Sequence, residues 1–229
     1  MTCSTVAPAS ESVSRVASPD LDLFAVEPSV SEAVETTLET LADAGATVEE
    51  VTVDAPPSGE LTHAYSITVT TFFATAVAEL NEDRDVALLA DYPDAVPSDL
   101  RTYVSMGRSH DAVDLATADV PRTALHHAVE DALAGYDALI CPTLATPPLT
   151  HEEPIPPTID GEPTGSVPTG WTMAWPFNMT GHPVVTVPAG TVDGLPVGMQ
   201  VVGPAYAEPR LLEVAAAVEA LAGWEYPES

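Results

Sequence analysis

The chain has 229 residues, with 35 acidic and 6 basic side chains and a formal charge of −29. All six basic residues are arginines and lysine is absent, which excludes a P-loop and a Schiff-base enzyme, since both need that amine. A surface this negative repels phosphate backbones and anionic lipid head groups, so neither a nucleic acid nor a membrane is expected as a partner.

The carboxylates are spread along the chain rather than gathered in one tail. That pattern fits a halophile's cytosol, where molar salt shortens the Debye length to about 3 Å and relieves self-repulsion. Apolar residues make up 45% of the chain, enough to fill a core. The two cysteines, Cys3 and Cys141, are far apart in sequence and make neither a disulfide framework nor a metal spacing. The opening MTCSTVAPAS has neither the basic start nor the apolar run of a secretory signal, and no stretch approaches the ~20 apolar residues of a spanning helix. A cytoplasmic protein is the expectation.

Residues 1–12 read as a loose tail rich in Ser, Thr, Ala and Pro, with one domain over 13–229. Ser12 to Ala17 suits a short strand. Glu27-Pro28-Ser29 opens a helix with proline just inside its start. Val30, Val34, Leu38 and Leu41 continue it at helical spacing, and Gly45 closes it. Ala46 to Val53 alternates as a strand. Strand, helix and strand in succession imply a parallel pair with the helix across one face. Residues 61–80 and 98–134 read as mainly helical. Within the latter, Asp111 to Gly135 is the clearest helix: Val113, Leu115, Val120, Leu125, Val129 and Leu133 supply its apolar face, Pro121 is expected to kink or interrupt it, and Gly135 stops it. Asp137 to Cys141 suits a buried strand, which makes Cys141 a buried small residue.

Residues 142–170 form a long proline-rich loop, a length that usually marks a functional segment or a cover. Val184 to Val187 and Val197 to Val202 flank the turn signal Asp193-Gly194 and predict a hairpin. Pro209 starts a last helix that ends at Gly223. The class is α/β, with a mixed, mostly parallel sheet flanked by helices.

Several segments then carry a resemblance. In order they are YDALICPT (136–143), WPFNMTGHP (175–183), VTVPAG (185–190), DGLPVGMQVVG (193–203) and LLEVAAAVE (211–219). Together with EPSVSEAVETTLETLADAGATVEEV (27–51) they resemble the C-terminal part of amidase signature enzymes, a family that includes the amidase subunit of glutamyl-tRNA amidotransferase. The likeness spans about Ser14 to Ala222. It implies the C-terminal part of the amidase signature fold, and amide hydrolysis by a Ser–cis-Ser–Lys arrangement. In that chemistry the lysine is the base, the middle serine relays a proton, the second serine attacks, and glycine-rich N–H groups hold the oxyanion.

This sequence contains no Ser-Ser pair, no glycine-rich serine loop and no lysine; Gly165-Ser166 is its nearest approach. Arginine cannot release a proton to replace the lysine. His63, His110, His126, His127, His151 and His182 read as surface or packed residues, and adjacent His126 and His127 do not point the same way on a helix. His151-Glu152-Glu153 lacks a second ligand cluster. No catalytic residue, metal ligand or cofactor is therefore assigned. Asn178, Gly181 and Pro183 remain as substrate-pocket or scaffold residues: an amide that can donate and accept, a glycine for positive φ or close approach, and a proline that fixes φ before a strand. Gly198 and Gly203 permit tight packing or a bulge.

The expectation is the C-terminal portion of an amidase, inactive alone. It would act on a small amide only with a complementary N-terminal amidase chain. A non-catalytic binding or assembly module, or the remnant of a truncated gene, is the alternative.

Overall fold

A computed structural model of the chain describes residues 14–17, 20–164 and 168–222. The expected tail, Gly165-Ser166 and the stop at Gly223 lie outside the described residues. In chain order the elements are β1 (Ser14–Ala17), α1 (Pro28–Asp43), β2 (Thr47–Glu50), α2 (Ser58–Arg84), α3 (Leu88–Asp91), α4 (Ser98–Gly107), α5 (Ala112–Leu133), β3 (Ala138–Pro142), β4 (Thr158–Ile159), β5 (Glu162–Pro163), α6 (Trp175–Thr180), β6 (Val184–Val192), β7 (Leu195–Val202) and α7 (Glu208–Ala222). They fall into two compact units, one within 1–54 and 128–229, the other 55–127.

In the first unit α1 starts with Pro28, whose fixed φ suits the first helical position. Val30, Val34, Leu38 and Leu41 are all buried. Gly45 follows the helix at φ +97°, a conformation that favours glycine. The chain then returns as β2, parallel to β1 with Ser14 opposite Thr47.

The five-stranded sheet has the order β2-β1-β3-β7-β6. Its pairings are β1–β2 and β1–β3 parallel, β3–β7 and β6–β7 antiparallel. The sheet is mixed as expected, but "mostly parallel" does not hold. The reason is placement: the reversed strand β7 inserts between β3 and β6, so one strand turns two pairings antiparallel. The hairpin itself matches expectation. Asp193 (φ 52°) and Gly194 (φ 77°) both take the left-handed turn that matches strand twist. β6 runs longer than expected because it continues through an irregularity between Pro188 and Thr191.

Helices α1 and α7 cover one sheet face, burying Val34, Leu38, Leu211, Val214 and Val218 against Ile140, Val187, Met199 and Val201. Each such aliphatic side chain contributes about 1.5–3 kcal/mol. Every residue of β3 is buried, in line with the apolar DALIC run.

Helix α5 runs through Pro121 instead of breaking there. Its expected apolar face is only half used: Leu125, Val129 and Leu133 are buried, whereas Val113 is 70% and Val120 69% exposed.

In the second unit α2 is longer than the expected 61–80. It crosses α4 so closely that a Cβ on Gly107 would lie 2.0 Å from the Thr70 carbonyl oxygen. The mainly helical stretch 98–134 is two helices parted after Gly107, the second beginning where the Asp111–Gly135 helix was expected. Asp111 Oδ1 accepts from the N–H groups of Val113 (2.7 Å) and Asp114 (3.0 Å) and caps a new start. Thr70 Oγ1 lies 3.0 Å from His110 Nε2. Among the described residues no helix is long and apolar enough to cross a membrane.

Candidate functional site

Strand β1 lies between β2, its partner across α1, and β3, which comes from much later in the chain. Such a reversal in strand order opens a crevice outside the carboxyl ends of the strands, where α/β proteins commonly bind ligands. Two segments leave those ends and knit together. Glu27 N–H donates to Ala145 O (2.8 Å), Ala145 N–H to Trp171 O (2.9 Å), Met173 N–H to Thr143 O (3.1 Å) and Thr143 N–H to Gly198 O (2.9 Å). The Phe24 and Trp175 rings meet edge to face, centroids 6.1 Å apart.

The described part of the proline-rich loop is tied to its surroundings. Strands β4 and β5 pair within it around Asp160 (φ 47°) and Gly161 (φ 79°). Asp160 N–H donates to Glu27 Oε1 (3.0 Å), Trp175 Nε1 to Thr169 O (3.1 Å), and Ile159 is buried. The Asp-Gly pair at 160–161 is a turn signal that was open to sequence reading and went unused.

Gln200 lies beneath this rim and was also missed. It is 1% exposed. Its side-chain amide donates to Pro142 O (3.0 Å) and Met173 O (3.1 Å) and lies 3.4 Å from Cys141 Sγ. It thus ties the end of β3 to the returning loop. Cys141 is buried as expected, and desolvation pushes its thiol far above the usual range despite the Gln200 contact. A nucleophilic thiolate is not available there. Among the described residues the buried Thr143 hydroxyl oxygen has no hydrogen-bond partner; it lies next to the bare Cα of Gly198.

The three sequence candidates sit together at the α6–β6 junction. Five of the six residues of α6 are buried and Asn178 alone is exposed. Gly181 ends the helix at φ 77°, its N–H donating to Phe177 O (2.8 Å), and a Cβ there would touch nothing within 4 Å. Positive φ, not close approach, requires the glycine. Pro183 precedes β6, and its carbonyl accepts from Gly203 N–H (2.9 Å), adding one rung to the β6–β7 pairing. Between them His182 is buried, with Nδ1 2.8 Å from Thr180 Oγ1 and Nε2 2.9 Å from Glu130 Oε1. A packed histidine that fastens α5 to this junction is what the geometry describes. Gly198 and Gly203 serve tight packing: a Cβ would meet Thr143 Oγ1 at 3.1 Å and Leu211 Cβ at 3.3 Å, respectively.

A groove between α1 and residues 188–192 of β6 is lined by Thr36, Thr37 and Thr40. Their hydroxyls already donate to helix carbonyls (Thr36 to Glu32 O at 2.9 Å, Thr40 to Thr36 O at 3.0 Å) or sit 3.2 Å from Ala189 O, as Thr37 does. Among the described residues no group of three or more His, Cys, Asp or Glu is placed to hold a metal ion. Arg210 contacts Asp137 (3.1 Å) and Glu213 (3.0 Å), and both carboxylates hold its guanidinium protonated. The arrangement shapes a wall and a rim.

Residues 4–212 match the family model described as Amidase. The chain belongs to the amidase family. It is 34% identical over 128 residues to a fatty acid amide hydrolase of Medicago truncatula, a stretch covering 55% of this chain and 21% of that protein. It is 33% identical over 113 residues to an acylamidase of Rhodococcus erythropolis, covering 49% of this chain and 24% of that one. In fold it resembles a bacterial aryl acylamidase of the amidase signature family, with TM-score 0.82 and 22% identity, covering 93% of this chain and 44% of the other. The chain therefore spans less than half the length of each of these relatives.

Proposed function

We propose that this chain is one part of an amide-hydrolysing enzyme. It supplies scaffold and part of a pocket wall, while the attacking serine and its lysine base come from the remainder of the amidase fold. One observation carries the reading: the family match covers residues 4–212, yet no lysine and no Ser-Ser pair occurs in the sequence. A Ser–cis-Ser–Lys mechanism has no base without that amine, and the buried, protonated Cys141 offers no substitute. The substrate is a small amide, reached only when the fold is complemented. Asn178, exposed on an otherwise buried helix, faces outward from the wall and suits contact with substrate or with the complementing part.

The same reading places the protein in a salt-rich cytosol. At a formal charge of −29, self-repulsion is relieved only where counterions screen it at close range.

The test is hydrolysis of p-nitroacetanilide in molar KCl. The purified chain releases no nitroaniline above buffer alone. Adding the missing part of an amidase fold brings turnover that a serine-directed reagent abolishes. Turnover by the chain alone, lost on substituting one of its own side chains, overturns the proposal.

A further inference from the structure

Helix α2 is apolar on two sides. Leu61, Ala64, Ile67, Ala74 and Val77 are buried. A second stripe, Val69, Phe72, Ala76 and Leu80, repeats at steps of three and four and occupies an arc of about 80° at 100° per residue. Val69 and Ala76 are partly buried, while Phe72 is 64% and Leu80 40% exposed. The aromatic packing leads outward. Tyr103 of α4 stacks on Phe73 (5.6 Å between centroids), and Phe73 meets exposed Phe72 edge to face (5.7 Å).

Charge sets this surface apart. Residues 61–78, which hold Val69, Phe72 and Ala76, contain no Asp, Glu or Arg in a chain with 35 carboxylates; charge returns around Leu80 with Glu79, Glu82, Asp83 and Arg84. An exposed apolar stripe on a surface this acidic marks an interaction site.

We propose that the stripe Val69–Phe72–Ala76–Leu80 is a docking surface for the rest of the amidase fold, an inference that rests on the reading above. The occupant follows from length. The chain folds as 44% of the aryl acylamidase's chain, so the other part of that fold needs apolar surface on this one.

The test co-expresses the full 229-residue chain with the part of the aryl acylamidase that it does not match, in molar KCl, and follows the complex by co-purification and sedimentation. Phe72→Glu/Leu80→Glu is expected to lower recovered complex more than tenfold. Leu212→Glu, at a position 59% exposed on α7, leaves it unchanged. Circular dichroism confirms that the variants are folded; should the double variant lose helix, Leu80→Glu alone takes its place. A complex insensitive to the α2 substitutions overturns this inference and leaves the proposed function standing. No complex with any form overturns the proposed function and the docking surface with it. A homodimer abolished by Phe72→Glu, or flotation of the wild type with phosphatidylcholine vesicles, assigns the stripe to a different occupant and also overturns the inference.

Discussion

Replacing Gln200 by leucine tests whether one buried amide holds the rim of the site to the sheet. The side chain is 1% exposed and donates to Pro142 O and Met173 O at 3.0 and 3.1 Å. Leucine has similar bulk, so the cavity left is small. The loss comes from two carbonyls deprived of their donor, each costing about 1–3 kcal/mol when buried. The expected destabilisation is about 3–5 kcal/mol. Urea unfolding in molar KCl, followed by the fluorescence of Trp171 and Trp175 in the same unit, measures it. Gln200→Glu separates hydrogen bonding from shape. A carboxyl group can still donate to one carbonyl when protonated, but an ionised one faces two acceptors in a dry site. Its folded-state pKa is therefore raised above the ordinary glutamate value. Relative to wild type at each pH, the variant is closest to native stability below about pH 4 and loses stability as pH rises through the folded-state pKa. A leucine variant within about 1 kcal/mol of wild type, or a glutamate variant whose deficit is independent of pH, refutes the reasoning.

Gly107→Ala is expected to destabilise the second unit by about 3 kcal/mol, because the added methyl meets backbone at Thr70 O, 2.0 Å away. Alanine's better helix propensity offsets only about 1 kcal/mol, so unchanged helical melting by circular dichroism contradicts the close crossing. In a Cys3→Ser background Cys141 is expected to resist a thiol reagent at neutral pH until urea is added, since burial raises its thiol far out of the reactive range. Rapid labelling of the folded chain refutes that. Thermal stability is expected to rise steadily from dilute to molar KCl, reflecting screening at a charge of −29; a flat profile removes the halophilic reading.

Local elements were legible because neighbouring residues determine them. Val30, Val34, Leu38 and Leu41 mark the inner face of α1 by spacing alone, and Asp193-Gly194 marks a turn by the φ values it tolerates. Gly181 was legible as a special backbone position, but whether positive φ or close approach required it needed coordinates. Gln200 was not legible. In the run VGMQVV it reads as one polar residue on a strand, and its acceptors lie 58 and 27 residues away in sequence. The exposure of Val113 and Val120 escaped notice for a related reason: helical periodicity identifies an apolar face without saying whether anything covers it.

The sequence alone determined the family, the charge and the lack of any lysine, because motif order and composition need no coordinates. It also determined most helices and turns, whose forces act within a few residues. Tertiary structure alone decided that β7 lies between β3 and β6, that Gln200 fastens the rim, and which apolar faces stay uncovered. Those outcomes depend on pairing and burial between residues far apart in the chain, where many arrangements satisfy the same local pattern and packing selects among them.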